Sequence, residues 1–116
     1  MEIAYQTCLA AELEDRGLKY QRELVVPLTY KNRKLDCGFR IDFLIENDII
    51  VELKSVEILL PVHESQIFSY LRFMGKRIGL ILNFNEPILK KGIRRFVMYK
   101  KGEASSLTQG KVPSNL

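Results

Sequence analysis

The stretch "RIDFLIENDIIVELKS", residues 40–55, decides how this chain is read. Ile41–Ile45 and Ile49–Leu53 are strand-like apolar runs, yet Asp42, Glu52 and Lys54 are threaded through or beside them. Side chains alternate along a strand, so Ile50, Glu52 and Lys54 share one face while Val51 and Leu53 take the other. On the preceding run Arg40, Asp42 and Leu44 are expected to share a face. Two such strands joined as a hairpin bring the carboxylates together only when paired residue numbers have an even sum, as with 42 opposite 52. A three-residue loop, Glu46-Asn47-Asp48, gives that register, and Asn or Asp tolerates the left-handed backbone it requires. A two-residue loop at Asn47-Asp48 would set 42 opposite 53 and separate the carboxylates, unless a bulge restored them.

Two ionised carboxylates a few ångströms apart repel unless a cation joins them. Carboxylate oxygens and water are the ligands Mg²⁺ or Mn²⁺ prefers. Such an ion polarises a phosphoryl oxygen and helps generate hydroxide. Asp42 and Glu52 are therefore the candidate metal ligands, with the Leu53 carbonyl completing the coordination. Lys54 falls where it would assist the attacking water or stabilise the pentacovalent phosphate. The alternative reading of Asp42, Glu52 and Lys54 is a partly buried salt-bridge cluster with no chemistry.

Working outward, residues 3–16 read as a helix, with Leu9 and Leu13 at helical spacing and Gly17 at the C-terminal cap position. Leu18–Tyr30 reads as a long strand in which Pro27 marks an edge or a bulge. A turn at Asn32 leads into strands at 36–46 and 49–54. Residues 59–76, "LLPVHESQIFSYLRFMGK", form the second helix, with Pro61 in its first turn, Glu64 complementing its dipole and Gly75 ending it. Its apolar stripe is Ile67, Leu71 and Met74. His63, Gln66 and Tyr70 make a polar stripe beside it, placed to support a site, with His63 read alternatively as an ordinary helix-start residue. Arg77–Asn85 is a buried strand, 86–94 a loop or short helix, and "RRFVMYK" adds a final strand. The fold class is α/β (α+β), a mixed central sheet flanked by helices in the order αβββαβ.

The chain has 116 residues, 47% hydrophobic and 28% charged, which fits one globular domain. That domain is expected over 1–101, with a disordered tail at 102–116. No apolar run approaches the roughly 20 residues that span a bilayer, so no membrane is expected and a cytoplasmic location is. Cys8 and Cys37 lack metal-site spacing and read as reduced, packed thiols. The net charge is +4, and residues 76–101 carry eight Lys and Arg against Glu86 alone. Lys90, Lys91, Arg94 and Arg95 in that segment are candidate contacts to a nucleic-acid backbone, the alternative being a solvated basic surface.

"RIDFLIEN…IIVELK" resembles motifs II and III of the PD-(D/E)XK nuclease superfamily, here ID-x9-ExK in the αβββαβ order of that restriction-endonuclease-like core. "QIFSY", Gln66 to Tyr70, looks like the QxxxY motif of its recombination-type exonucleases. Over most of residues 2–97 the chain is similar to the GxxExxY family of small PD-(D/E)XK proteins. The resemblance implies Asp42 and Glu52 as metal ligands, Lys54 as the catalytic lysine, and Gln66 and Tyr70 as supporting residues. Glu2 and Tyr5 match the family's namesake pattern, while its Gly and the helix usually preceding it would lie before Met1. Glu2 would then be the first-helix acid beside the metal, at an end expected to fray.

Two functions follow from these readings. One is a Mg²⁺-dependent (or Mn²⁺-dependent) nuclease acting on DNA. The other is a nuclease-fold module that binds nucleic acid or a partner without cutting, with a homodimer covering core left open by a short N-terminus.

Overall fold

A computed structural model describes residues 2–99, and the side chains of residues 36 and 37 stand outside that description. The tail expected at 102–116, with Lys100 and Lys101, lies outside the described residues. Helix α1 covers Glu2–Asp15, followed by strands β1 (Tyr20–Tyr30), β2 (Arg33–Ile45) and β3 (Ile49–Lys54). Helix α2 covers Pro61–Met74, and strands β4 (Ile78–Asn83) and β5 (Ile93–Val97) follow, with a 3₁₀ turn at Leu89–Gly92 between them. This is the restriction-endonuclease-like αβββαβ order, extended by the fifth strand.

The five strands form one sheet in the order β1-β2-β3-β4-β5. Only β3 and β4 are parallel, because α2 carries the chain over the sheet between them; the other neighbours are antiparallel. The β2–β3 register is the even one: Phe43 faces Val51, Leu44 faces Ile50 and Ile45 faces Ile49. The loop between them is Glu46-Asn47-Asp48, with Glu46 and Asn47 both at positive φ (53° and 55°). Pro27 meets both expectations at once, since β1 is an edge strand and its register with β2 shifts between Pro27 and Thr29. Helix α2 starts at Pro61 and stops at Gly75, whose φ of 66° is the left-handed cap conformation.

The sheet is covered on both sides. Ala10 and Leu13 of α1 pack with Phe43, Val51 and Leu53. Ile67, Tyr70 and Leu71 of α2 pack with Ile41, Leu44, Ile50, Ile81 and Phe96 on the opposite face. Gly79 lets α2 lie close, because a Cβ there would stand 2.9 Å from Ile67 Cγ1.

One expectation about faces is corrected. Strict alternation puts Arg40, Asp42 and Leu44 together, yet Leu44 and Ile41 pack in the same layer under α2 while Phe43 packs under α1. The partner strand does the same: Tyr20 belongs to the α1 layer and Leu24 to the α2 layer. Both strands change face at one level, between the pairs Arg22–Phe43 and Leu24–Ile41, where Glu23 has a φ of 53°. Each strand thus carries one extra residue there, Glu23 on β1 and Asp42 on β2, and the register on either side is unchanged. A second correction concerns Cys8, which is a free thiol but exposed rather than packed.

Candidate active site

Pairing between β2 and β3 ends after Phe43–Val51. Beyond it β2 continues with β1 alone and β3 with β4 alone, so the two strands part as a fork. Asp42 and Glu52 sit at its crotch. The Asp42 backbone N–H donates to Glu52 Oε2 at 2.7 Å, and the Leu53 N–H donates to Asp42 Oδ2 at 2.8 Å. Side-chain oxygens replace the next ladder acceptors, so the sheet opens without orphaning buried amides.

Burial makes these carboxylates reluctant to ionise. Glu52 is 6% exposed. Its carboxyl is pushed up to about 8, first by burial and next by the neighbouring Asp42 charge, against the Asp42 N–H and Lys54, which favour ionisation. Asp42 is also raised, chiefly by burial, with the Leu53 N–H and Lys54 opposing. Glu2 adds a smaller upward push to both, which places its charge near the fork although the residue is exposed. The Tyr70 phenol is raised by burial and by the two carboxylates, so it is a protonated donor near them.

Lys54 ends β3 on the Glu52 face, half-buried. Its carbonyl accepts the Phe84 N–H on the β4 side. Carbonyls alternate sides along a strand, so that of Leu53 points toward the fork. Helix α1 closes the site from the other layer. Tyr5 stacks on Phe84 with ring centroids 4.1 Å apart, which seats its first turn against the end of β4. Phe39 stacks on Tyr70 at 4.6 Å and fixes the ring from the β2 side.

The remaining candidates are spread more widely. Gln66 is exposed on α2. His63 Nδ1 accepts the Leu60 N–H at 3.0 Å, which is a helix-start cap and matches the plainer of its two readings. Arg94 lies opposite Ile81, which lies opposite Glu52. It therefore shares a cross-sheet row with the carboxylate, about 10 Å away at the backbone. Its guanidinium is 3.7 Å from Glu64. Lys90, Lys91 and Arg94 are exposed around a shallow hollow, whereas Arg95, opposite Leu80, faces the α1 side.

Three residues at or beside the site escaped the sequence reading. Gln6 is buried, and its Nε2 lies 3.5 Å from Asp42 Oδ1. Arg22 Nε donates to Gln6 Oε1 at 3.1 Å. Asn83, opposite Lys54 on β4, accepts the N–H groups of Val56 and Asn85 and donates to the Val56 carbonyl at 2.8 Å. The available signal was polarity on a buried stripe: Gln6 precedes Ala10 and Leu13 at i+4 and i+7, and Asn83 shares Ile81's face.

The donor set suits a divalent cation. Among the described residues no group of three or more His, Cys, Asp or Glu side chains forms a cage. What the fork offers is two carboxylates with one oxygen each held by a backbone amide. Their other oxygens, Asp42 Oδ1 among them with Gln6 Nε2 beside it, match an ion that keeps most of its water, as Mg²⁺ does. No helix among the described residues is long and apolar enough to cross a membrane.

No curated protein and no solved structure matches the chain. The model of the PD-(D/E)XK nuclease superfamily matches residues 1–96, which include both helices and the whole fork. With that match over most of the sequence, the chain belongs to the PD-(D/E)XK nuclease superfamily.

Proposed function

We propose that this protein is a Mg²⁺- or Mn²⁺-dependent nuclease of the GxxExxY type that hydrolyses phosphodiester bonds in DNA. One observation carries the reading: Asp42, half-buried, and Glu52, buried, are held together at the fork, with the Glu52 carboxyl raised to about 8. Such a pair is uncomfortable as two anions and comfortable around a cation. Asp42, Glu52 and the Leu53 carbonyl would hold the ion, with Glu2 near its water. The bound ion would polarise the phosphate and lower the pKa of the attacking water.

The chain's own groups do the rest. Lys54, whose charge already acts on both carboxylates, would stand beside the scissile phosphate and stabilise its growing charge. Tyr70, kept protonated, would donate to a phosphate oxygen. Gln66 and the free Nε2 edge of His63 would touch the strand along α2. Lys90, Lys91 and Arg94 would hold the backbone without reading sequence, with Arg95 adding positive charge from the α1 side.

A second reading is a nuclease-fold module that binds nucleic acid or a partner, as a homodimer or otherwise, without cutting. The observation in its favour is that Asp42 Oδ2 and Glu52 Oε2 each cap a backbone amide, a structural task that needs no ion. Calorimetric titration with Mn²⁺ separates the two. Binding that is lost in Asp42→Asn supports the nuclease; heat that is absent, or unchanged by Asp42→Asn, supports the binding module.

A further inference from the structure

Gln6 is 7% exposed, and a buried amide must place both its carbonyl and its NH₂. Arg22 decides which goes where. A guanidinium only donates, so the Arg22 Nε–H, 3.1 Å from Gln6 Oε1, fixes the amide with its oxygen toward β1. Nε2 is thereby aimed at Asp42 Oδ1, 3.5 Å away. The carboxylate's other oxygen, Oδ2, is held by the Leu53 N–H. The second arm of Arg22 reaches Thr7 Oγ1 at 3.1 Å, so the guanidinium spans two adjacent residues of α1. Arg22 shares the α1 side with Tyr20, and the face change at Glu23 then turns Leu24 into the α2 layer.

We propose that Arg22 is a positioning residue for the carboxylate pair, acting on Asp42 through the Gln6 amide. The inference rests on the reading of Asp42 as a metal ligand for its effect on function, but its structural half stands without it. Arg22 orients Gln6, and Gln6 steadies the rotamer of Asp42 from the α1 layer. Lysine would not replace it, because an ammonium lacks the fork that serves Gln6 and Thr7 together.

The test follows the Gln6 side-chain NH₂ by ¹H–¹⁵N correlation NMR alongside Mn²⁺ affinity by calorimetry. Arg22 is exposed, so Arg22→Met is expected to fold. It should move the Gln6 NH₂ resonances toward free-amide positions and weaken Mn²⁺ binding on the order of tenfold. Gln6→Leu should weaken it similarly, and adding Arg22→Met to Gln6→Leu should weaken it no further. Arg22→Lys should fall between parent and Arg22→Met. Parent-like Gln6 resonances in Arg22→Met would overturn the proposal. So would an Arg22→Met that raises KM for nucleic acid with Mn²⁺ affinity unchanged, since Arg22 would then be a phosphate contact. If the parent binds no Mn²⁺, the nuclease reading fails while the NMR result still decides the brace.

Discussion

Asp42 and Glu52 are joined reciprocally: each carboxylate accepts an amide N–H from the strand that carries the other. The pair is therefore part of the sheet's construction, whatever chemistry it also carries. Removing either side chain frees a buried amide, so Asp42→Ala and Glu52→Ala confound folding with function. Asn and Gln, which still accept, are the cleaner substitutions.

The raised Glu52 carboxyl sets a stability profile. An unfolded Glu ionises near 4.5, whereas the folded one holds its proton to about 8. Between these values the native state binds more protons than the unfolded state, so stability falls as pH rises through that window and levels off above it. Asp42, also raised, acts in the same direction. Scanning calorimetry in EDTA from pH 4.5 to 8.5 should show the decline, on the order of a few kcal/mol. Glu52→Gln should flatten most of it. A cation must displace this proton, so Mn²⁺ binding near pH 7 should release about one proton per ion.

Lys54 offsets both carboxylates without bonding to the sheet through its side chain. Lys54→Ala should leave the fold intact and Mn²⁺ binding equal or tighter, since a competing cation is gone. Cleavage should drop by at least about 100-fold. Retained cleavage at the parent rate would remove Lys54 from the mechanism.

The basic hollow predicts how substrate is held. Lys90→Gln with Lys91→Gln should weaken DNA binding equally for unrelated sequences. The slope of log K against log salt should become shallower by about 2, close to 0.9 for each phosphate no longer neutralised. Fluorescence anisotropy at several salt concentrations measures both.

Asn83 holds the segment that follows Lys54. Asn83→Ala would leave the Val56 N–H and carbonyl without their partner and should cost about 2–4 kcal/mol. Asn83→Asp keeps the acceptor for Val56 and Asn85 but sets oxygen against the Val56 carbonyl, so it should recover only part of that loss. Urea denaturation gives both values.

Much of this was legible in the sequence because the signals are local. The sequence narrowed the β2–β3 register to two loop lengths, of which the three-residue, even one is observed, and Pro61 and Gly75 bounded α2. Glu52 and Lys54 followed from simple alternation. The face change at Glu23 and Asp42 was not legible, because equal insertions on paired strands leave the register sum untouched. It depends on two segments some twenty residues apart agreeing in three dimensions. Gln6, Arg22 and Asn83 were missed for the same reason: each matters only through a partner distant in the chain. His63 carried two readings in the sequence, and its Nδ1 accepts the Leu60 N–H at the helix start, as a histidine two residues into a helix can.

The face change also separates two tasks, packing the layers and holding the fork. Ile41 and Phe43, on either side of Asp42, anchor opposite layers, and Asp42 itself belongs to neither. Excising Glu23 and Asp42 together would leave every flanking core residue on its present face and the ladder continuous. Position 42 is thus a splice in the scaffold: its side chain answers to the Leu53 amide and the fork, while the hydrophobic sequence around it stays under a separate constraint.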